Sequence, residues 1–94
     1  MIKIQFTVKL NDKGNVVVAY CPELDVYSQG YSIKEAKKNL REAVSLFLEE
    51  AQNMGTLKQI LEETGFRKEK KEPMLWASSS MIFTERIKLG LARI

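Results

Sequence analysis

The sequence lacks histidine and contains one cysteine, and both scarcities exclude classes of functional site. A single cysteine, Cys21, cannot form an intramolecular disulfide, and the usual Cys/His zinc sets lack their ligands. Without histidine there is no Ser/His or Cys/His nucleophile pair, and no side chain whose ordinary pKa suits proton transfer near neutral pH. The sequence therefore offers little of what a hydrolase or a zinc protein needs.

Aspartate and glycine are also scarce. The two aspartates, Asp12 and Asp25, lie at a predicted turn and at the start of a predicted strand, whereas two-metal nucleases need several converging carboxylates. The five glycines stand far apart, so the sequence contains no glycine-rich phosphate loop. Cys21 has no evident base nearby and is interpreted as a structural residue. We therefore predict that the protein is not an enzyme and has no catalytic residue, no metal and no cofactor.

Long apolar runs are missing as well. None approaches the roughly 18 residues of a membrane-spanning helix, and the N-terminus alternates too regularly for a signal peptide. The chain is nevertheless 45% hydrophobic, which is too apolar for a disordered protein, and its 94 residues suit one domain. We expect a cytoplasmic globular protein without membrane contact.

The N-terminal part has the pattern of a β-hairpin followed by a third strand. The first strand alternates, with one buried side formed by Ile2, Ile4, Phe6, Val8 and Leu10. Residues 11–15 have the Asn, Asp and Gly content of a tight turn, and the β-branched stretch 16–21 forms the returning strand. Pro22 ends this strand, because proline cannot donate to a ladder. Residues 24–29 are predicted to form a short third strand that ends at Gly30.

A capping box marks the start of a long helix. Ser32 and Glu35 are three residues apart, so each side chain can accept a hydrogen bond from the other residue's backbone N–H. The apolar residues behind it recur at helical spacing: Ile33, Ala36, Leu40, Ala43, Val44, Phe47, Leu48 and Ala51. This stripe predicts a helix packed on the sheet. A second, shorter helix is predicted between Thr56 and Gly65.

The C-terminal third divides into a charged and an apolar stretch. Residues 67–73 are predicted to form a charged linker. Residues 74–94 are largely apolar, and those from Phe83 to Leu91 alternate like a strand. This tail is expected to pair with the sheet or with another subunit. We therefore predict an α+β domain over 1–66, a linker, a strand-like tail, and a homodimer or larger homo-oligomer formed partly through the tail.

Two groups of residues are candidates for partner contacts. The first group surrounds the turn after the second strand and the helix start: Tyr20, Tyr27 and Tyr31. Rigid aromatic rings can anchor a protein partner, and packing within the core or its rim is the alternative. The second group combines the linker cations with the single tryptophan: Arg67, Lys68, Lys70, Lys71 and Trp76. It suggests nucleic-acid contact, with a solvated linker and a hydrophobic dimer contact as the alternatives.

One further pattern runs through the first half of the chain. It begins with the hairpin FTVKLNDKGNVVVAYCPEL and continues with Ser28, Gln29 and Gly30. It ends in the helix opening Ser32, Ile33, Lys34, Glu35 and Ala36, followed by Asn39, Leu40, Glu42 and Ala43. With these residues the stretch from Phe6 to Ala51 resembles the HicB-like antitoxin family of prokaryotic toxin–antitoxin modules.

The resemblance implies an antiparallel β-β-β-α core, a partial ribonuclease H-like fold without its catalytic carboxylates. In the family this domain masks a HicA-type toxin, a small ribonuclease that cleaves mRNA, and a separate C-terminal segment usually binds operator DNA. Residues 66–94 are too short and too strand-like for the helix-turn-helix form of that segment. The resemblance therefore predicts an antitoxin or antitoxin-derived regulator without catalysis of its own. The alternative is a nucleic-acid-binding transcriptional regulator that acts through its basic C-terminal part.

Overall fold

A computed structural model describes residues 2–78 and 85–91 of the chain. These residues form a mixed sheet of six strands, one long helix and one short helix. The elements are β1 (Ile2–Asp12), β2 (Val17–Cys21), β3 (Val26–Gly30), α1 (Ile33–Asn53), α2 (Leu57–Glu63), β4 (Phe66–Lys68), β5 (Leu75–Ser78) and β6 (Glu85–Leu91). The predicted α+β class and the β-β-β-α order of the first half are confirmed.

β1 is the central strand, because it pairs with three others. Residues 9–12 pair antiparallel with β2, residues 3–5 pair parallel with β5, and residues 2–8 pair antiparallel with β6. The hydrogen-bonding order is β3-β2-β1-β5-β4, with β6 as a further partner of β1. The parallel contact was not predicted. It is possible because the chain passes through α1, α2 and β4 before β5, a connection long enough to bring a strand back in the same direction.

The alternation in β1 is confirmed as far as Val8. Its inward side chains from Ile2 to Val8 are at most 3% exposed and belong to the core. Leu10, predicted on the same buried side, is 39% exposed. Residues 9–15 are all exposed, since this end of the hairpin extends past the core. The apolar alternation of β1 therefore continues one step beyond the part of the strand that the core covers.

The turn between β2 and β3 is longer than the sequence predicts. Residues 22–25 form it, and β3 begins at Val26 rather than at residue 24. Asp25 has a φ of +55°, in the left-handed region that an extended strand does not use. Leu24 is buried, but it packs from the turn rather than from a strand. The prediction that the third strand includes residue 24 is therefore wrong.

The long helix α1 begins at the predicted cap. Ser32 Oγ accepts a hydrogen bond from the Glu35 N–H at 3.1 Å. The Glu35 carboxylate accepts from the Tyr31 N–H at 2.9 Å, and not from the Ser32 N–H as a standard capping box would. The buried face consists of Ala36, Leu40, Val44, Leu48 and Ala51. Ile33 and Phe47, predicted in the same stripe, are 49% and 39% exposed, because they lie at the first position of the helix and at the margin of its buried face.

The C-terminal tail belongs to the sheet of the same chain. The core includes Trp76 from β5 and three residues of β6, Ile87, Leu89 and Leu91. β4 begins just before the predicted linker and pairs antiparallel with β5, so the charged stretch is a strand followed by a loop. Of the described apolar residues that suggested an oligomer, Trp76, Ile87, Leu89 and Leu91 are covered within one chain, whereas Met74 is 52% exposed. The oligomeric state stays a prediction. Residues 79–84 and 92–94 of the predicted tail lie outside the described residues.

Candidate functional site

Two of the three candidate tyrosines stack on the outer face of the β2–β3 hairpin. Tyr20 and Tyr27 are direct cross-strand partners, with ring centroids 4.2 Å apart and ring planes inclined by 19°. Val17 and Ala19, which alternate with Tyr20 along β2, are buried in the core shared with α1. Both tyrosine rings therefore face away from α1. Stacked pairs of this kind contribute about 0.5–1.5 kcal/mol beyond their burial, which makes the pair rigid.

The two rings of the tyrosine pair differ in their exposure to solvent. Tyr27 is 60% exposed, whereas Tyr20 is half-buried beneath it. Partial burial raises the pKa of the Tyr20 hydroxyl, and the neighbouring Tyr27 and Asp25 raise it further. The Tyr20 hydroxyl is therefore neutral at physiological pH. An aromatic ring that is already fixed before binding loses little side-chain entropy on contact with a partner.

Tyr31 is a separate feature at the junction of β3 and α1. It is 85% exposed, and in the described residues the ring stack involves Tyr20 and Tyr27 without it. Gly30, which precedes it, is buried against the first turn of α1. This close approach determines where the chain leaves β3 and hence where Tyr31 emerges. The sequence grouped three tyrosines that the fold divides into a pair and a single residue.

A part-buried carboxylate connects β1 to the turn after β2. The Thr7 N–H lies between the β1 residues that pair with β5 and those that pair with β2, and it donates to Glu23 Oε1 at 3.1 Å. The Cys21 thiol donates to the same oxygen at 3.5 Å. Within the described residues, Glu23 Oε2 and the Thr7 hydroxyl are buried without a hydrogen-bond partner. Sequence reasoning missed this connection, because the two residues are 16 positions apart and Thr7 was predicted on the polar face.

The environment of Cys21 makes its thiol unreactive. Burial raises the pKa of Cys21 to about 12, and the negative charge of Glu23 acts in the same direction. The nucleophile is the thiolate, which is scarce at neutral pH under these conditions. We expect native protein to resist alkylation by iodoacetamide at about pH 8 and to react only when urea unfolds it. Labelling is followed by mass spectrometry.

The same shift predicts how stability depends on pH. The unfolded thiol releases its proton near its ordinary pKa of 9.0, while the folded thiol keeps it up to about pH 12. The free energy contributed by this group is therefore fully present below pH 9 and is lost as the pH rises, by at most about 1.4 kcal/mol per pH unit. Urea unfolding of wild type and Cys21→Ala between about pH 8 and 11 measures the difference. Identical pH dependence in both proteins would contradict the expectation.

The fold brings three of the predicted nucleic-acid residues together, since Arg67, Lys68 and Trp76 line one surface pocket. Arg67 and Lys68 lie on β4, whereas Lys70 and Lys71 are exposed in the loop that leads to β5. Trp76 is 4% exposed and packs in the core, with Lys68 Nζ 5.4 Å from its ring centroid. A ring buried in this way presents little surface to a nucleobase, and the contact of Trp76 with nucleic acid stays a prediction. Trp76 pairs with Ile4 on the core face of the sheet, a position that only the β1–β5 contact creates.

Two further kinds of feature are absent from the described residues, a cluster of metal ligands and a membrane-spanning helix. Within residues 2–78 and 85–91, no three Cys, Asp or Glu side chains are grouped as a metal site would require. Of the helices in this part of the chain, neither is long and apolar enough to cross a bilayer. Comparison of the chain with protein-family models, with curated proteins and with solved structures gives no match.

Proposed function

We propose that the chain is a cytoplasmic HicB-like antitoxin, or a regulator derived from one, that masks a small HicA-type mRNA-cleaving toxin. The observation that carries this proposal is the stacked Tyr20–Tyr27 pair on an open sheet face. Two further points support it. The residues of the stretch 6–51 resemble the family, and the observed β-β-β-α order is the order that the resemblance implies. Masking acts by covering a surface and needs no catalytic group.

The surface around the tyrosine pair has the composition of a protein-binding site. Lys9, Tyr20 and Tyr27 are consecutive cross-strand neighbours, and Val18 and Gln29 are the next pair along β2 and β3. The centre is thus aromatic and aliphatic, while the exposed Lys9 and Gln29 supply a polar margin. Stable protein complexes bury about 1,200 Å² or more, with most of the energy in a few central anchors. Tyr27 is the residue of this face best placed to be such an anchor.

The test is co-expression of the chain with a small basic ribonuclease-like protein that is encoded by a neighbouring gene. A pull-down then measures binding between the two proteins, and a growth assay shows whether the chain rescues cells from the toxin. We expect wild type to capture the toxin and to restore growth. Tyr27→Ala is expected to weaken binding roughly thirtyfold, because truncation of a hot-spot aromatic costs about 2 kcal/mol. Leu46→Ala is the control, since Leu46 is 67% exposed on α1, in the layer on the opposite side of the sheet.

Two results would count against this proposal. Absence of both capture and rescue by the wild-type chain contradicts the antitoxin function. Equal losses in the Tyr27 and Leu46 variants contradict the placement of the interface on the tyrosine pair. Thermal unfolding of both variants shows whether a loss of binding reflects a loss of fold.

A further inference from the structure

The N-terminal half of α1 concentrates positive charge on one flank. Four of its first nine residues are basic: Lys34, Lys37, Lys38 and Arg41. Residues at positions i, i+3, i+4 and i+7 lie on one side of a helix, and these span about 10 Å along its axis. Lys34, Lys38 and Arg41 are exposed. The four basic residues line a surface groove together with Ser32, Ile33 and Glu35.

This arrangement of charges opposes the stability of the helix. Lys34 and Lys38 are a like-charge pair at i, i+4, and so are Lys37 and Arg41, and such pairs are unfavourable. Cations near a helix N-terminus also meet the positive end of the helix dipole. Glu35 in the first turn and Glu42, four residues after Lys38, offset part of this charge, whereas Glu49 and Glu50 lie near the C-terminus of α1. The first nine residues of α1 still carry four cations and one carboxylate, and an anionic ligand would offset the remaining repulsion.

The surroundings of this flank favour a ligand that carries both charge and rings. Glu35, the acidic residue of the first turn, is held in the cap by the Tyr31 N–H. Tyr31 is 85% exposed and precedes Ser32, the N-cap of α1, while Ile33 in the first turn is 49% exposed. Proteins bind single-stranded nucleic acids with exposed aromatic rings and cations, since bases stack on the rings while the cations follow the phosphates.

We propose that the flank of α1 formed by Lys34, Lys38 and Arg41, with Tyr31 at its end, binds the backbone of single-stranded nucleic acid. A single strand fits better than a duplex, because its unpaired bases can stack on the exposed ring of Tyr31. The surface differs from the tyrosine pair proposed to bind a toxin. It also differs from the cations around the β4–β5 loop, which the sequence singled out. The inference goes beyond the masking function and does not depend on it.

Fluorescence anisotropy with labelled single strands of about 12 nucleotides tests this proposal. An RNA and a DNA of the same sequence show which sugar the site accepts, and binding of either supports the proposal. With three phosphates neutralised, the affinity should fall roughly twentyfold between about 50 and 200 mM salt. The double variant Lys34→Glu with Lys38→Glu is expected to lose at least about tenfold in affinity at the lower salt.

A matched control distinguishes an effect of this flank of α1 from an effect of the net charge of the protein. The double variant Lys70→Glu with Lys71→Glu changes the charge by the same amount at exposed residues of the β4–β5 loop, and it should retain most of the affinity. Reversal at Lys34 and Lys38 leaves the two positions a like-charge pair, but it places negative charge near the N-terminus of α1, which the helix dipole favours, so the melting temperature of that variant should change little. A loss of binding then cannot be attributed to unfolding.

Four results would overturn the proposal. These are no binding of either strand at low salt, equal losses in the two double variants, a loss confined to the loop variant, and equal competition by a polyglutamate peptide of the same charge. The last result would assign the flank to an acidic protein segment instead. Each can be obtained whether or not the chain binds a toxin, so failure here is distinguishable from failure of the masking function.

Discussion

A chain that ends before Glu85 is expected not to fold, because it lacks β6. This strand pairs with β1 over seven positions, and Ile87, Leu89 and Leu91 enter the core from it at 2–9% exposure. Burial of each such side chain stabilises the fold by roughly 1.5–3 kcal/mol, and three of them approach the whole net stability of a small domain. Circular dichroism and urea unfolding of the truncated chain should show no cooperative transition.

Two controls accompany the truncation. A chain that ends at Leu91 keeps every described residue of β6 and should unfold cooperatively. Leu89→Ala is expected to cost about 2–5 kcal/mol, whereas Lys88→Ala, on the exposed side of the same strand, should change stability by less than about 0.5 kcal/mol. A native-like spectrum and a cooperative transition for the chain without β6 would show that the fold does not require this strand.

Because β6 is part of the sheet, the oligomeric state cannot be tested by removing the C-terminal tail. If the C-terminal tail only joined subunits, deletion of residues 73–94 would be expected to convert an oligomer into a folded monomer. In the fold this deletion removes both β5 and β6 from β1, so it would report on unfolding rather than on association. The oligomeric state is therefore best determined on the whole chain, by light scattering at several concentrations.

Replacement of Gly30 by alanine is expected to destabilise the protein by about 3 kcal/mol, at the upper end of what overpacking costs. A Cβ at this position would lie 2.7 Å from the Ala36 backbone nitrogen and 2.9 Å from both the carbonyl carbon and Cβ of Glu35. Since two of these three atoms are helix backbone, no side-chain rotation can relieve the contact. The first turn of α1 would have to move away from β3, which disturbs the cap and the burial of Ala36. Urea unfolding with fluorescence detection measures the change.

Gly14→Ala is the matched control for this substitution. Gly14 has a φ of +95° and no atom within 4 Å of a built Cβ, so alanine there adds backbone strain of about 1–2 kcal/mol without a clash. The comparison separates conformational strain from the close approach of helix and strand. If the two alanine variants were equally stable, the contact between β3 and α1 would not have the importance assigned to it.

Two local features of this protein, the strand β1 and the start of α1, follow from the sequence alone. Alternation from Ile2 to Val8 predicts a strand with one buried face, and Ser32 with Glu35 predicts where α1 begins. Both features depend on neighbours within a few residues, which act in the same way in any tertiary setting. The burial of Cys21 belongs to the same class, since it alternates with outward residues along a short β-branched strand.

The assembly of these elements was decided only by the tertiary structure. The spacing of apolar residues along the sequence shows which side of a helix or strand is apolar, but it does not show which other element covers that side. The parallel contact of β5 with β1 places Trp76 in the core, and the β2–β3 register brings Tyr20 and Tyr27 together while leaving Tyr31 outside the stack. The hydrogen bond between Thr7 and Glu23 likewise joins residues far apart in sequence. Such contacts form between whole elements once the chain has closed, so no local pattern of residues encodes them.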